Sequence, residues 1–376
     1  MRTLLCEKLG CDLPIFAFSH CRDVVVEVCK AGGFGVLGAA LFSPEQLEAE
    51  MRWIDRHIEG RPYGVDVLFT SNYDRQAEAA HEDPAKLIPQ AHRDFLNKFL
   101  QDEGVAQLPD GERERVVREI VGGRGQMTPE GSRRLLAVAL AHSQVRLVVS
   151  ALGSPPPDVI SELRRRDIVV GAVCGKVDHA LRHMAAGVDV IVAQGTEAAG
   201  HTGDVATMVL VPQVVQACNG KTAVLAAGGI AHGSQIAAAL AMGAEGVWCG
   251  SVWLGTRESE LDPTEKEVLF ASRAEDAVRR KCRTGKPVRM TKSPMSEIWE
   301  QPDSPGYLPT PLQGILFAEG HVRVVRAQRK DLYSCSVGQV VGLMTSETSV
   351  RDVIYRMQME YLESIDRLNA LTAGVA

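Results

Sequence analysis

A histidine framed by small residues is the first place where chemistry could reside. The segment Ala193-Gln194-Gly195-Thr196-Glu197-Ala198-Ala199-Gly200-His201-Thr202-Gly203 continues directly from an apolar, β-branched run. If that run is a strand of a (β/α)₈ barrel, its exit lies on the active-site face, and Gln194, Glu197 and His201 reach a pocket. Small neighbours let a flat ligand approach the backbone. An imidazole titrates near neutral pH, so His201 could take a proton from a carbon acid or stabilise an anion. The plainer alternative is a histidine satisfied within its own loop.

Two glycine sites further on suit a phosphate. "VLAAGGIAHGSQIAAAL" sets Gly228 and Gly229 between a strand and a helix, and "GVWCGSVWLGTRES" sets Gly250 and Ser251 at the end of the next strand. Barrels commonly bind phosphate between these last two loops through backbone N–H groups. The alternative is two ordinary βα turns. Gly33-Phe34-Gly35-Val36-Leu37-Gly38 spells G-x-G-x-x-G, but it follows a helical pattern and enters a strand. The dinucleotide fingerprint needs the reverse order, so we read a helix-to-strand turn. His179 and His183 lie four apart on a predicted helix without a third ligand nearby; they read as a solvated face, and no metal is expected. Lys176, near the exit of the fifth candidate strand, is positioned to meet an anion or else is a surface lysine. The nine cysteines show no CxxC or zinc-finger spacing and read as free thiols.

These residues need a frame, and the chain supplies one. Candidate strands lie near Leu13–Phe18, Phe34–Leu37, Tyr63–Phe69, Val145–Ser150, Ile168–Val173, Asp189–Ala193, Thr222–Ala226 and Gly246–Gly250. Several are apolar throughout, as strands buried on both faces must be. Amphipathic or alanine-rich helical patterns alternate with them, so the expected fold is α/β, a (β/α)₈ TIM barrel. Two stretches depart from the repeat. Residues 71–131 are charged and helical in pattern and should emerge near the barrel mouth. Residues 286–376 open with a proline-rich loop and end in a helix whose stripe of Val350, Val353, Ile354, Met357, Tyr361, Ile365 and Leu368 should pack on the barrel or on a dimer partner. The expected domains are therefore a barrel of residues 1–70 and 132–285, a helical insertion and a C-terminal extension.

With 376 residues, 45% hydrophobic and 23% charged, the chain has an ordinary globular balance. Its formal net charge of −6 argues against nucleic acid as a partner. No apolar run is long enough to span a membrane, and the first residues lack a signal-peptide core, so the expected location is cytoplasmic.

The segments "LPIFAF", "VCKAGGFGVLGA", "VDVIVAQGTEAAGHTG", "LVPQVV" and "AAGGIAHGSQIAAALAMGAEGVWCGSVWLGTRES" resemble the nitronate monooxygenase family, formerly the 2-nitropropane dioxygenases. The likeness covers roughly residues 4–259 and, more loosely, the tail. It implies a TIM barrel holding non-covalent FMN. His201 would be the catalytic base or anion stabiliser. Gln194, Gly195 and Gly200 would border the isoalloxazine, while Gly228, Gly229, Gly250 and Ser251 would hold the phosphate. Ala17 and Phe18 would contact the flavin through backbone groups, Asp66 stands at a strand position that meets the flavin in the family, and Lys176, from its place at the fifth strand exit, joins the expected cofactor set. The chain departs from the family at Ala199, where a second glycine is usual; at Asp66, where asparagine is frequent; and in "AFSHC", which lacks the usual methionine.

The implied reaction is oxidation of an alkyl nitronate by O₂ to a carbonyl compound and nitrite. The alternative is an FMN-dependent NAD(P)H reductase of a quinone or enoyl thioester, because flavin-dependent enoyl-ACP reductases carry a similar histidine segment. A third reading is an inert barrel whose charged insertion binds a partner. The expected partners are a small-molecule substrate and O₂, with NAD(P)H use and a homodimer left open.

Overall fold

A computed structural model describes residues 1–69, 84–109, 111–124 and 128–373. The β-branched runs form β1 (Ile15–Ser19), β2 (Phe34–Gly38), β3 (Tyr63–Asp66), β4 (Val145–Ser150), β5 (Val169–Cys174), β6 (Val190–Gln194), the two-residue β7 (Gly200–His201), β8 (Ala223–Ala227) and β9 (Gly246–Cys249). All but β7 close into one parallel barrel, in the order β1-β2-β3-β4-β5-β6-β8-β9. The chain is thus the expected TIM barrel, its strand ends moved by only a few residues.

Alternation along each strand fills two layers. Phe16, Phe34, Val36, Leu147, Val149 and Val192 pack inside the barrel. Ile15, Ala17, Val65, Val148, Ile191 and Val247 face the surrounding helices. The glycines of the G-x-G-x-x-G stretch belong to this packing. A Cβ on Gly33 would lie 2.9 Å from Ile15 O, and one on Gly35 would lie 2.8 Å from Val25 Cα, so the glycines let the helix Arg22–Lys30 lie directly on the sheet. His183 corrects an expectation. Its face of the helix Val177–Ala186 turns inward, where Nδ1 meets Ser154 Oγ at 2.8 Å and Nε2 meets Val173 O at 3.2 Å. Burial lowers its pKa and keeps it neutral.

The two departures from the βα repeat pack on each other. Residues 71–83, 110 and 125–127 of the insertion lie outside the described residues. The helices Gln90–Asp102 and Glu112–Arg124 place Leu96, Leu100 and Val117 in a second core, with Met295, Ile315, Phe317 and Val324 of the extension. Glu319, on the extension helix Leu312–Arg326, accepts from Arg113 at 2.6 Å and from Arg93 at 3.3 Å. Strands β10 (Ala277–Arg280) and β11 (Val288–Thr291) form a small sheet in the order β10-β11-β7.

The final helix, Val350–Thr372, buries Val350, Val353, Ile354 and Met357 and crosses the barrel helix Gly233–Ala241. The crossing is close: a Cβ at Gly233 would overlap the backbone at Met357 and Tyr361. Glu360 accepts from Gly233 N–H at 2.8 Å. All nine cysteines are buried free thiols. Among the described residues, no helix is long and apolar enough to cross a membrane.

Candidate active site

The strand exits of β1, β6, β8 and β9 enclose a cavity of about 530 Å³, a size suited to a cofactor or small ligand. Phe18 and His20 come from the first exit, Gln194 and Glu197 to Gly200 from the second, Gly228 to Ile230 from the third, and Trp248 to Ser251 from the fourth. Leu261 and Glu265 close one side, and Gly338 and Val340 of the extension close another.

The β8–β9 rim is made of backbone. Gly228 and Gly229 hold φ of 102° and 68°, the left-handed region that favours glycine. A Cβ on Gly228 would also stand 2.7 Å from Thr207 Oγ1. Among the described residues, no acceptor meets the N–H groups of Gly229, Ile230, Gly250 and Ser251, although each is beside the cavity. A Cβ on Gly250 would have only Phe18 O near it, at 4.0 Å. Free donors around open space form a cradle for an oxyanion. Phe18 and Trp248 stack at 6.1 Å between ring centres and offer an apolar, flat wall nearby.

The loop before His201 is tied down at Glu197, through both its carboxylate and its carbonyl. Both carboxylate oxygens of Glu197 accept from Thr207 N–H, at 3.1 and 3.0 Å, and Thr207 Oγ1 donates to one of them at 2.8 Å. The extension adds a strap: Gln339 N–H donates to Glu197 O at 2.9 Å, and Gly338 N–H donates to Ser251 Oγ at 2.8 Å. Glu197 is thus anchored by a helix N-terminus, and its main chain by a segment more than a hundred residues away.

His201 stands beside the cavity but does not line it; its neighbour Gly200 does. In β7, His201 is paired with Val288 of β11, and its Nε2 lies 2.9 Å from Thr284 Oγ1 in the β10–β11 hairpin. The ring has an exposed side, yet surrounding protein lowers its pKa below the usual value, with Lys286 and Arg283 adding to the effect. It is therefore neutral at pH 7.

The expected site residues fall into two groups. Phe18, Gln194, Gly200, Gly228, Gly229, Gly250 and Ser251 come together around the cavity. Five others are placed off its walls. Ala17 is fully buried in the outer core. Gly195 is wedged against Thr207, and its N–H donates to Ala227 O at 2.9 Å. Lys176 begins the helix Val177–Ala186 and pairs with Asp178 at 3.8 Å. Asp66 is 3% exposed, with no hydrogen-bond partner for its carboxyl among the described residues, and burial pushes its pKa up to about 7. The fifth is His201.

The structure adds His20, whose ring lines the cavity while Nδ1–H donates to Gly38 O at 2.9 Å. It lies in the Ala17–Cys21 segment, which lacks the family's usual methionine, but nothing in its spacing marks it. Gly338 and Val340 had no local signal at all, because only folding brings the extension to the mouth.

Comparison with known proteins gives the chain's family. The nitronate monooxygenase family matches residues 18–360. A candidate monooxygenase of Mycobacterium tuberculosis, Rv1533, is 48% identical over 99% of each chain. A protein of Staphylococcus saprophyticus named as a probable nitronate monooxygenase is 30% identical over 73% of this chain and 72% of its own. Among solved structures, the nitroalkane oxidase of Streptomyces ansochromogenes superposes with a TM-score of 0.77 at 26% identity, covering 97% of this chain and 99% of the other. The chain belongs to the nitronate monooxygenase family and is an oxidoreductase built on a TIM barrel.

Proposed function

We propose that the protein is an FMN-dependent nitronate monooxygenase that oxidises alkyl nitronates with O₂ to a carbonyl compound and nitrite. The observation that carries this reading is the set of free N–H groups at Gly229, Ile230, Gly250 and Ser251 on a cavity of cofactor size, in a chain of this family. Those donors and the Ser251 end of β9 fit a phosphate, and the Phe18–Trp248 wall fits the edge of a flat ring. Bound FMN supplies the redox chemistry.

The chain's own residues do the rest. Gln194 offers an amide at the β6 exit. Arg283 and Lys286, whose charge is felt at His201, favour an anionic substrate there. His201, neutral at pH 7, can remove the proton α to the nitro group of a neutral nitroalkane.

Anaerobic mixing tests the reading. Nitronate should bleach the yellow protein, and O₂ should restore the colour with release of nitrite. Bleaching by NADH instead would put the reductase in its place, and a colourless protein that cannot take up FMN would leave an inert barrel. His201→Asn should keep FMN yet lose roughly 100-fold or more in turnover of the neutral nitroalkane. Unchanged kinetics in that variant would refute its role.

A further inference from the structure

We infer that Thr284 is a positioning residue for His201: its hydroxyl engages Nε2, so that Nδ1 is the nitrogen that exchanges a proton with the substrate. This rests on the reading of His201 as a base. Nε2 lies 2.9 Å from Thr284 Oγ1, and that hydroxyl donates to Lys286 O at 3.3 Å. With its own proton turned to a carbonyl, the hydroxyl oxygen accepts Nε2–H. The neutral ring then carries its lone pair on Nδ1, which has no protein partner among the described residues. The imidazole is one member of a short relay, Nε2–H to Oγ1–H to carbonyl, and the relay decides the tautomer.

Thr284 is itself held in place. Lys286 N–H donates to its oxygen at 3.4 Å, and Thr310 Oγ1 donates to its carbonyl at 2.6 Å. The β7–β11 pairing sets the register, with Val288 opposite His201 and Arg289 opposite Gly200.

The charges felt at the ring are cationic. Arg283 and Lys286 come from the hairpin. Two further arginines of the small sheet are engaged elsewhere: Arg289 donates to Thr196 O at 2.8 Å, and Arg279 pairs with Asp204 at 2.5 Å. Such surroundings disfavour an imidazolium, and a hydroxyl oxygen accepting Nε2–H offsets part of that penalty as the ring takes up its proton. In the step itself the substrate's α C–H bond breaks, its proton bonds to Nδ1, and the electron pair stays on the substrate as the nitronate. Nε2 keeps its hydrogen throughout.

The experiment compares Thr284→Val and Thr284→Ser in the FMN-loaded full chain, on a neutral nitroalkane and on the preformed nitronate. Thr284→Val should lose about tenfold in kcat on the nitroalkane, the scale of one hydrogen bond. It should leave nitronate turnover unchanged and shift the pH profile for the nitroalkane. Thr284→Ser should restore both the nitroalkane kcat and its pH profile. Nitrogen-15 NMR of His201 should report hydrogen on Nε2 in the native and serine proteins and a mixture of tautomers in the valine protein. Native nitroalkane turnover in Thr284→Val, or hydrogen on Nδ1 in the native protein, overturns the proposal. His201→Asn is run in parallel. If it keeps nitroalkane turnover, the base reading fails. If it loses turnover while Thr284→Val does not, only the assignment of Thr284 fails.

Discussion

At the β8 and β9 exits the cavity is bounded by backbone that its own strands present, whereas at the β6 exit the histidine is held by a hairpin 83 residues further along the chain. The first flank needs little but glycine: left-handed φ at Gly228 and Gly229, and N–H groups that no acceptor meets among the described residues. The second depends on a β7–β11 ladder, on Thr284, and on an extension strap that reaches Glu197 O and Ser251 Oγ. A flank made of local backbone tolerates changes elsewhere in the fold but not a change of its own side chains. An imported flank should behave the other way, losing stability when a distant contact is cut while the cradle survives.

The hardest test of that contrast is Gly195→Ala. A Cβ there would overlap Thr207 Oγ1 and N, and would lie 2.6 Å from Glu197 Oε2. We expect about 5 kcal/mol of destabilisation, from overpacking plus the lost Glu197–Thr207 bonds, together with loss of flavin uptake. A native denaturant midpoint would show that the exit is softer than its packing.

Asp66→Asn comes next. The folded chain holds the Asp66 proton up to about pH 7, while an exposed aspartate loses its proton near 4. The native state therefore binds more protons across that window, and stability falls as pH rises from about 4 to 7. Asparagine removes this slope and should add on the order of 4 kcal/mol at pH 8. Unfolding curves measured at pH 4, 6 and 8 check it; parallel pH dependence in both proteins would contradict an unpaired buried carboxyl.

The smallest effect is expected for Glu319→Gln, which cuts the ion pairs joining insertion and extension. The cost should be about 2 kcal/mol, reduced from that of a fully buried pair because Arg113 is half exposed. Flavin affinity should hardly change. Collapse of flavin binding in that variant would mean that the imported flank supports the cradle directly.

Much of the barrel was legible because its signals are short-range. Apolar β-branched runs such as Val145–Ser150 are buried on both faces wherever they fall, and all eight became barrel strands. The glycine pair after β8 carried its meaning in its own letters, since few other residues adopt that backbone. The histidine segment announced its location but not its surroundings. His183 was misread because periodicity gives the faces of a helix and not which face the sheet covers. His20 and the extension residues Gly338 and Val340 had no pattern to betray them.

The sequence by itself determined a closed parallel barrel of eight strands, with glycines at its last two exits and a histidine at its sixth. Those features follow from side-chain periodicity and backbone freedom over a few residues. Tertiary structure alone decided that Thr284 meets His201, that the extension straps the mouth, that the insertion and extension share a core, and that Asp66 keeps its proton to about pH 7. Each of these depends on which distant groups are pressed together and on how much water that contact removes, and neither is written in any short stretch of the chain.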